Sequence, residues 1–139
     1  GVGFMKKFET YRFVKKEDLN HHGTLFAGRA AEWFVETGLM CTATVVPAEN
    51  IVLVNIDQMS FTKPVQLGDL IKCEAEVAYA GRTSFIVHIL FTVEGEKRVE
   101  GFISYVNVNE KGKAVPHNIE LDLKDEELKE LNERAKKFL

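Results

Sequence analysis

The sequence predicts an α+β domain: one long helix near the N-terminal end, wrapped by a curved antiparallel sheet, with a second helix at the C-terminal end. Three observations point there. Leu25, Phe26, Ala30, Trp33, Phe34 and Leu39 recur at threes and fours, the spacing of a helix with one buried face. From residue 51 to 108 the chain runs in β-branched and alternating stretches broken at Gly-containing turns, the mark of antiparallel strands. The tail LDLKDEELKELNERAKKFL places acids first and bases last, the order that complements a helix dipole.

Taken in order, residues 11–14 form a strand and residues 15–20 a loop, in a segment where Phe4, Phe8, Tyr11 and Phe13 sit among charged residues. Gly23 turns the chain into the helix, which spans about residues 25–41, and the Thr24 hydroxyl caps it. Pro47, Glu49 and Asn50 mark a turn. A strand over 51–59 continues to Phe61, the chain bends at Pro64, and Gly68-Asp69 turns it back. Residues 71–79 alternate strictly. Gly81-Arg82 turns, 83–94 form a long apolar strand, Gly95-Glu96 make a hairpin, and 98–108 return. The tail helix covers about residues 121–139, with Asp125 as N-cap and Leu128, Leu131, Ala135 and Leu139 as its apolar stripe. One helix on one curved sheet leaves edges open, so pairing between subunits is expected.

At 139 residues the chain is long enough for one domain with a sizeable core, residues 1–139. A net charge of -3 argues against a general binder of phosphate backbones, hence no nucleic-acid partner. Cys41 and Cys73 lie in apolar runs without metal-ligand spacing and read as buried thiols of a reducing cytosol, with a disulfide the other option. No secretory signal is evident and no apolar run reaches the roughly 18 residues that span a bilayer, so the expectation is a cytoplasmic protein with no membrane partner.

Chemistry concentrates at the start of the first helix. Asp18, Asn20, His21 and His22 precede Gly23, and the helix opens on small residues, Ala27 and Gly28. Small residues let a ligand approach the backbone, and the free amides of a helix start favour an oxyanion. Glu32 and Glu36 lie one turn apart beside Trp33, Phe34 and Val35. In an apolar setting their carboxyls would titrate higher and suit general-base work; the alternative is a solvated stripe paired with Arg29. Adjacent side chains such as His21 and His22 are expected to point apart, and without a third ligand no metal site is predicted. His88, inside an apolar strand, reads as a core or interface histidine.

Four segments, in order, resemble the hotdog-fold acyl-CoA thioesterases, in particular the broad-specificity bacterial and cytosolic acyl-CoA hydrolase groups. Asn20-His21-His22-Gly23-Thr24-Leu25-Phe26-Ala27-Gly28 is similar to the approach to the family's central helix. Ile56-Asp57-Gln58-Met59-Ser60-Phe61 with Pro64-Val65-Gln66-Leu67-Gly68-Asp69 resembles its strand and bend. Gly81-Arg82-Thr83-Ser84 resembles its hairpin, and Phe102 to Val108 with Lys111-Gly112-Lys113 its last strand and turn. The likeness covers roughly residues 8–117.

The resemblance implies hydrolysis of an acyl-CoA thioester to a free acid and CoA, in a homo-oligomer of at least two subunits, a dimer, tetramer or hexamer. Amides near Ala27 or Gly28 would hold the carbonyl oxygen, with Gly23 and His22 lining the site, and Asn20 would place substrate or water. A helix carboxylate, supplied by a second subunit, would act as base or nucleophile. The family's acid falls fifteen residues after the Asn, where this chain has Val35. Glu36 lies about 100° round from Val35 and Glu32 about 60° round the same way, so either can replace it if the helix rotates, shifts or carries a π-bulge. Arg82, Thr83 and Ser84 form either a plain hairpin or a cradle for a CoA phosphate. No metal or redox cofactor is implied, CoA being part of the substrate. Two other readings stand beside hydrolysis: a non-catalytic acyl-CoA sensor or carrier, which Val35 favours, and an acyl-thioester hydratase or dehydratase using His21 or His22.

Overall fold

The computed structural model describes residues 7–123 and 125–139; the readings of Phe4 and Lys124 lie outside the described residues. Five strands, β1 (Phe8–Phe13), β2 (Ile51–Phe61), β3 (Leu70–Ala80), β4 (Ser84–Val93) and β5 (Glu96–Asn107), form one antiparallel sheet in the order β1-β3-β4-β5-β2. Helix α1 (Ala27–Thr42) packs on one face and α2 (Glu126–Lys136) on the other. The main core lies under α1. Ala30, Trp33, Phe34 and Cys41 of the helix meet Ile71, Cys73, Ala75, Phe85, Val87, Ile89 and Phe91 of the central strands. On the opposite face Ala135 of α2 covers Ala78, Ile86 and Phe102.

Several boundaries differ from the sequence reading, for identifiable reasons. Thr24 does not cap α1. The backbone of residues 24–26 is pinned as extended chain, Leu25 N donating to Val65 O at 2.8 Å and Phe26 N to Asp18 O at 2.8 Å, so the helix starts at Ala27. The first strand begins at Phe8, because Phe8 to Phe13 pair in register with Ala75 to Leu70. Val14 is buried beyond its end. The β4–β5 turn is made by Glu94 (φ 51) and Gly95 (φ 79), the mirror-image turn whose twist suits a two-residue hairpin, while Glu96 already pairs with Val93. The tail helix is shorter than expected. It starts at Glu126, where Asp125 Oδ1 accepts from Glu127 N at 2.8 Å, and Leu139 is left exposed.

Two glycines allow close approach. A Cβ on Gly101 of β5 would sit 1.8 Å from Gln58 O, beside an irregularity in the β2 register. A Cβ on Gly38 would sit 2.5 Å from the Tyr105 hydroxyl, which passes beneath α1 to donate to Val35 O at 2.9 Å. Cys41 and Cys73 are buried free thiols, each pushed up to about 12 by burial, so the disulfide alternative falls away. Among the described residues no helix is long and apolar enough to cross a membrane.

Candidate functional site

The loop before α1 is built around Asn20. Its Oδ1 accepts from the amides of His22 (2.8 Å) and Thr24 (3.1 Å), and its Nδ2 donates to Thr24 Oγ1 (3.1 Å) and Leu25 O (3.5 Å). Both polar atoms of the side chain are therefore engaged within the loop, and Asn20 shapes the turn. Gly23 adopts φ 78, a left-handed conformation that suits glycine. Behind the loop the buried Asp18 carboxylate accepts from Lys15 N at 2.9 Å and pairs with Arg29 Nε at 3.2 Å.

This frame leaves the start of α1 open. The first ladder bond runs from Ala30 N to Phe26 O at 3.0 Å, and no side chain caps the helix. The amides of Ala27, Gly28 and Arg29 thus precede the ladder and carry the positive end of the dipole. Ala27, Gly28 and Phe26 are exposed, and the Phe26 ring lies against Gly28, where a Cβ would sit 2.5 Å from it. His22 and Gly23 lie on the exposed loop beside them. The rings of His21 and His22 do not point apart: they touch, with centroids 3.9 Å apart and a 42° tilt. Among the described residues no group of three metal-ligating side chains forms.

The two glutamates are not in an apolar setting. Glu36 is exposed and accepts from Arg12 at 2.5 Å; Glu32 is exposed and pairs with Arg29 at 3.3 Å. Both line a cleft of about 530 Å³ between β1 and α1, with Arg12 also lying 5.7 Å over the Trp33 ring. α1 is α-helical throughout, without a π-bulge, so neither carboxylate is carried round to the place of Val35. Val35 packs against the main core and its carbonyl is held by Tyr105. The sequence reading missed Arg12. Its signal was a lone cation between aromatic residues on a strand, where alternation turns Arg12 toward the helix and Tyr11 and Phe13 outward.

Arg82, Thr83 and Ser84 share one turn at the start of β4. Gly81 N donates to Ser84 O at 2.9 Å, Asn107 N to Thr83 O at 2.7 Å, and His117 N to Arg82 O at 3.3 Å. Arg82 is exposed and forms no ion pair among the described residues. The hairpin is thus tied to residues 107 and 117, whereas the loop at residues 20–26 is tied to residues 18 and 65. The two groups of predicted site residues occupy different parts of the chain.

Comparison with known proteins places this geometry in a family. Residues 22–100 match the family described as the thioesterase superfamily. A Bacillus subtilis protein named as an uncharacterised acyl-CoA thioester hydrolase is 28% identical over 105 residues, 71% of this chain and 60% of its own length. The chain therefore spans less than two thirds of that relative. An Escherichia coli acyl-CoA thioester hydrolase is 29% identical over 108 residues, 69% of this chain and 79% of its own. A solved structure described as an apo-hexameric acyl-CoA thioesterase superposes with a TM-score of 0.84 at 27% identity, covering 95% of this chain and 87% of that one. The fold is the hotdog fold of those hydrolases.

Proposed function

From the chain's membership of the thioesterase superfamily, we propose that it hydrolyses acyl-CoA thioesters to a free acid and CoA. The observation that supports this most is the open start of α1, presented by the Asn20 loop. In thioester hydrolysis water attacks the acyl carbon, negative charge develops on the carbonyl oxygen, and CoA thiolate leaves with a proton. The amides of Ala27 and Gly28 are donors suited to that oxygen, and fixed donors aimed at developing charge supply several kcal/mol of transition-state stabilisation, about 3 kcal/mol for one donor. Gly23 and His22 line the approach. Asn20 holds the loop that aims these donors.

The base in this proposal is Glu36 or Glu32. Each stands on the solvent side of α1, accessible to a thioester brought by a second copy of the chain. Arg82, Thr83 and Ser84 would bind the phosphates of CoA. The chemistry needs neither metal nor redox cofactor. Homo-oligomerisation follows from the β2 edge, where Val52, Leu53, Val54, Ile56 and Phe61 are all exposed, and the hexameric relative supports it. Val35 favours a second reading, in which the chain binds acyl-CoA without turnover.

Glutamine variants name the base. Glu36→Gln or Glu32→Gln is expected to lower kcat for thiol release by about 10²–10⁴-fold while the other has a minor effect. Equal, full activity in both variants would remove the glutamates from the mechanism.

A further inference from the structure

The two candidate bases are held in different ways, and the difference separates them. Glu32 has a local partner: Arg29, three residues earlier on the same helix, reaches it at 3.3 Å and also serves the buried Asp18 at 3.2 Å. The Glu32 side chain is 58% exposed. An exposed pair at this spacing contributes little and leaves the carboxylate free to turn.

Glu36 has its partner on another element. From β1, Arg12 Nη2 donates to Glu36 Oε2 at 2.5 Å. Two features fix Arg12 before it meets the carboxylate. Its backbone lies in the β1–β3 ladder, opposite Ile71. Its guanidinium carbon stands 5.7 Å over the ring of Trp33, which is buried in the core under α1. Trp33 and Glu36 are three residues apart and share a face of the helix, so one guanidinium spans both. A planar guanidinium braced on an immobile indole loses little further freedom in making its hydrogen bond. The contact occupies Oε2 and leaves Oε1 without a hydrogen bond among the described residues, in the cleft between β1 and α1.

We propose that Arg12 is a positioning residue for the hydrolysis, acting through Glu36, and that Glu36 rather than Glu32 is the base. This rests on the hydrolase reading and deepens it. Glu36 Oε1 takes a proton from water as the water oxygen bonds to the acyl carbon. The C–S bond then breaks, and the proton passes from Glu36 to the thiolate sulfur, releasing acid and thiol and restoring the carboxylate. Arg12 touches neither water nor thioester; it sets the direction in which Oε1 is presented. Glu36 lies nine residues beyond Ala27, about 13 Å along the helix axis, so the pair acts on a thioester held at the α1 start of a second copy.

The test is a double-mutant cycle read in thiol release from acyl-CoA by the full chain, with circular dichroism recording that each variant is folded. Arg12→Gln is expected to lower kcat by about 10–100-fold with KM within about twofold, because it disturbs the aim of a base and not the binding of substrate. Arg12→Lys keeps a cation near Oε2 and should recover most of that loss, though without the planar fork. In the double variant, Arg12→Gln with Glu36→Gln, kcat should be no lower than in Glu36→Gln alone, since no carboxylate is left to place. Should Arg12→Gln fail to fold, the cycle is run with Arg12→Lys, whose smaller loss must likewise vanish in the Glu36→Gln background. Losses that multiply in the double variant would mean that Arg12 only braces β1 against α1, and would overturn the proposal. A loss confined to Glu32→Gln, with Glu36→Gln fully active, would overturn it as well. A wild-type chain that releases no thiol from any acyl-CoA would instead sink the hydrolase reading, and the role of Arg12 with it.

Discussion

Single residues carry more of this account than any element does. Asn20 is the clearest case: an amide with four donor–acceptor contacts inside its own loop sets the direction of the chain into α1. Gly101 is a second. With Gln58 O only 1.8 Å from where a Cβ would lie, and backbone rather than a flexible side chain in the way, β2 must shift to admit even a methyl group. Gly101→Ala is expected to destabilise the fold by about 3 kcal/mol, at the upper end of what overpacking costs, read as a lowered denaturation midpoint. An unchanged midpoint would show that the β2–β5 contact is looser than described. The sequence made the glutamates visible but not their surroundings. Whether Glu36 meets apolar side chains or Arg12 depends on a residue 24 positions away, and no local pattern reports that contact.

At the scale of elements, α2 is held to the sheet by apolar packing and by a charge cluster around Glu100. That carboxylate takes His88 Nε2 at 2.6 Å, Lys97 Nζ at 2.9 Å and a guanidinium nitrogen of Arg134 at 3.1 Å, and Arg134 lies 5.2 Å over Phe102. Burial pushes the Glu100 carboxyl up, but the hydrogen bonds from His88 and Lys97 and the Arg134 guanidinium overcome it and hold the group down at about 2. His88 moves below its ordinary 6.5, chiefly through burial and against the pull of Glu100, so at neutral pH it donates as a neutral ring. Both shifts make the unfolded chain bind more protons than the folded one as pH falls. Stability therefore declines first below 6.5, as His88 is asked to charge, and again from 4.5 toward 2, as Glu100 is protonated. The melting-temperature gap between wild type and Glu100→Gln should be wide at neutral pH and close across that lower window; a gap independent of pH would mean that the Glu100 charge contributes nothing to docking. Element identities were legible in the sequence because periodicity is local: the alternation of β3 and the charge order and Asp125 cap of α2 report themselves. The start of α1 was not. Thr24 has the right side chain for a cap, but pairing with Val65 and Gln66, far along the chain, keeps it extended.

For the whole molecule, the two edge strands differ. β1 is six residues long, carries Glu9 and Arg12 and exposes Tyr11 and Phe13, whereas β2 exposes Val52, Leu53, Val54, Ile56 and Phe61 along eleven residues that pair, among the described strands, with β5 alone. An exposed apolar edge of this length is expected to be covered by a second copy. Sedimentation should give a mass at least twice the 15.7 kDa of one chain, and Val54→Lys should shift the population toward monomer; a monomeric wild type would leave the edge unexplained. The strand order β1-β3-β4-β5-β2 was beyond the sequence, since it depends on which long-range pairings close, yet the α+β class and the wrapped helix followed from hydrophobic spacing and turn residues. The site divides in the same way: the loop and open helix start follow from local chemistry, while the partners of the carboxylates follow from the fold. What remains central is whether the open α1 terminus serves turnover or binding alone. The most direct measurement is thiol release by the wild-type chain from short, long and aromatic acyl-CoAs, monitored alongside binding of the same compounds. Hydrolysis predicts release of CoA with multiple turnovers from at least one acyl class; acyl-CoA bound but left intact would contradict it and make Val35 the mark of a protein that holds its thioester without cleaving it.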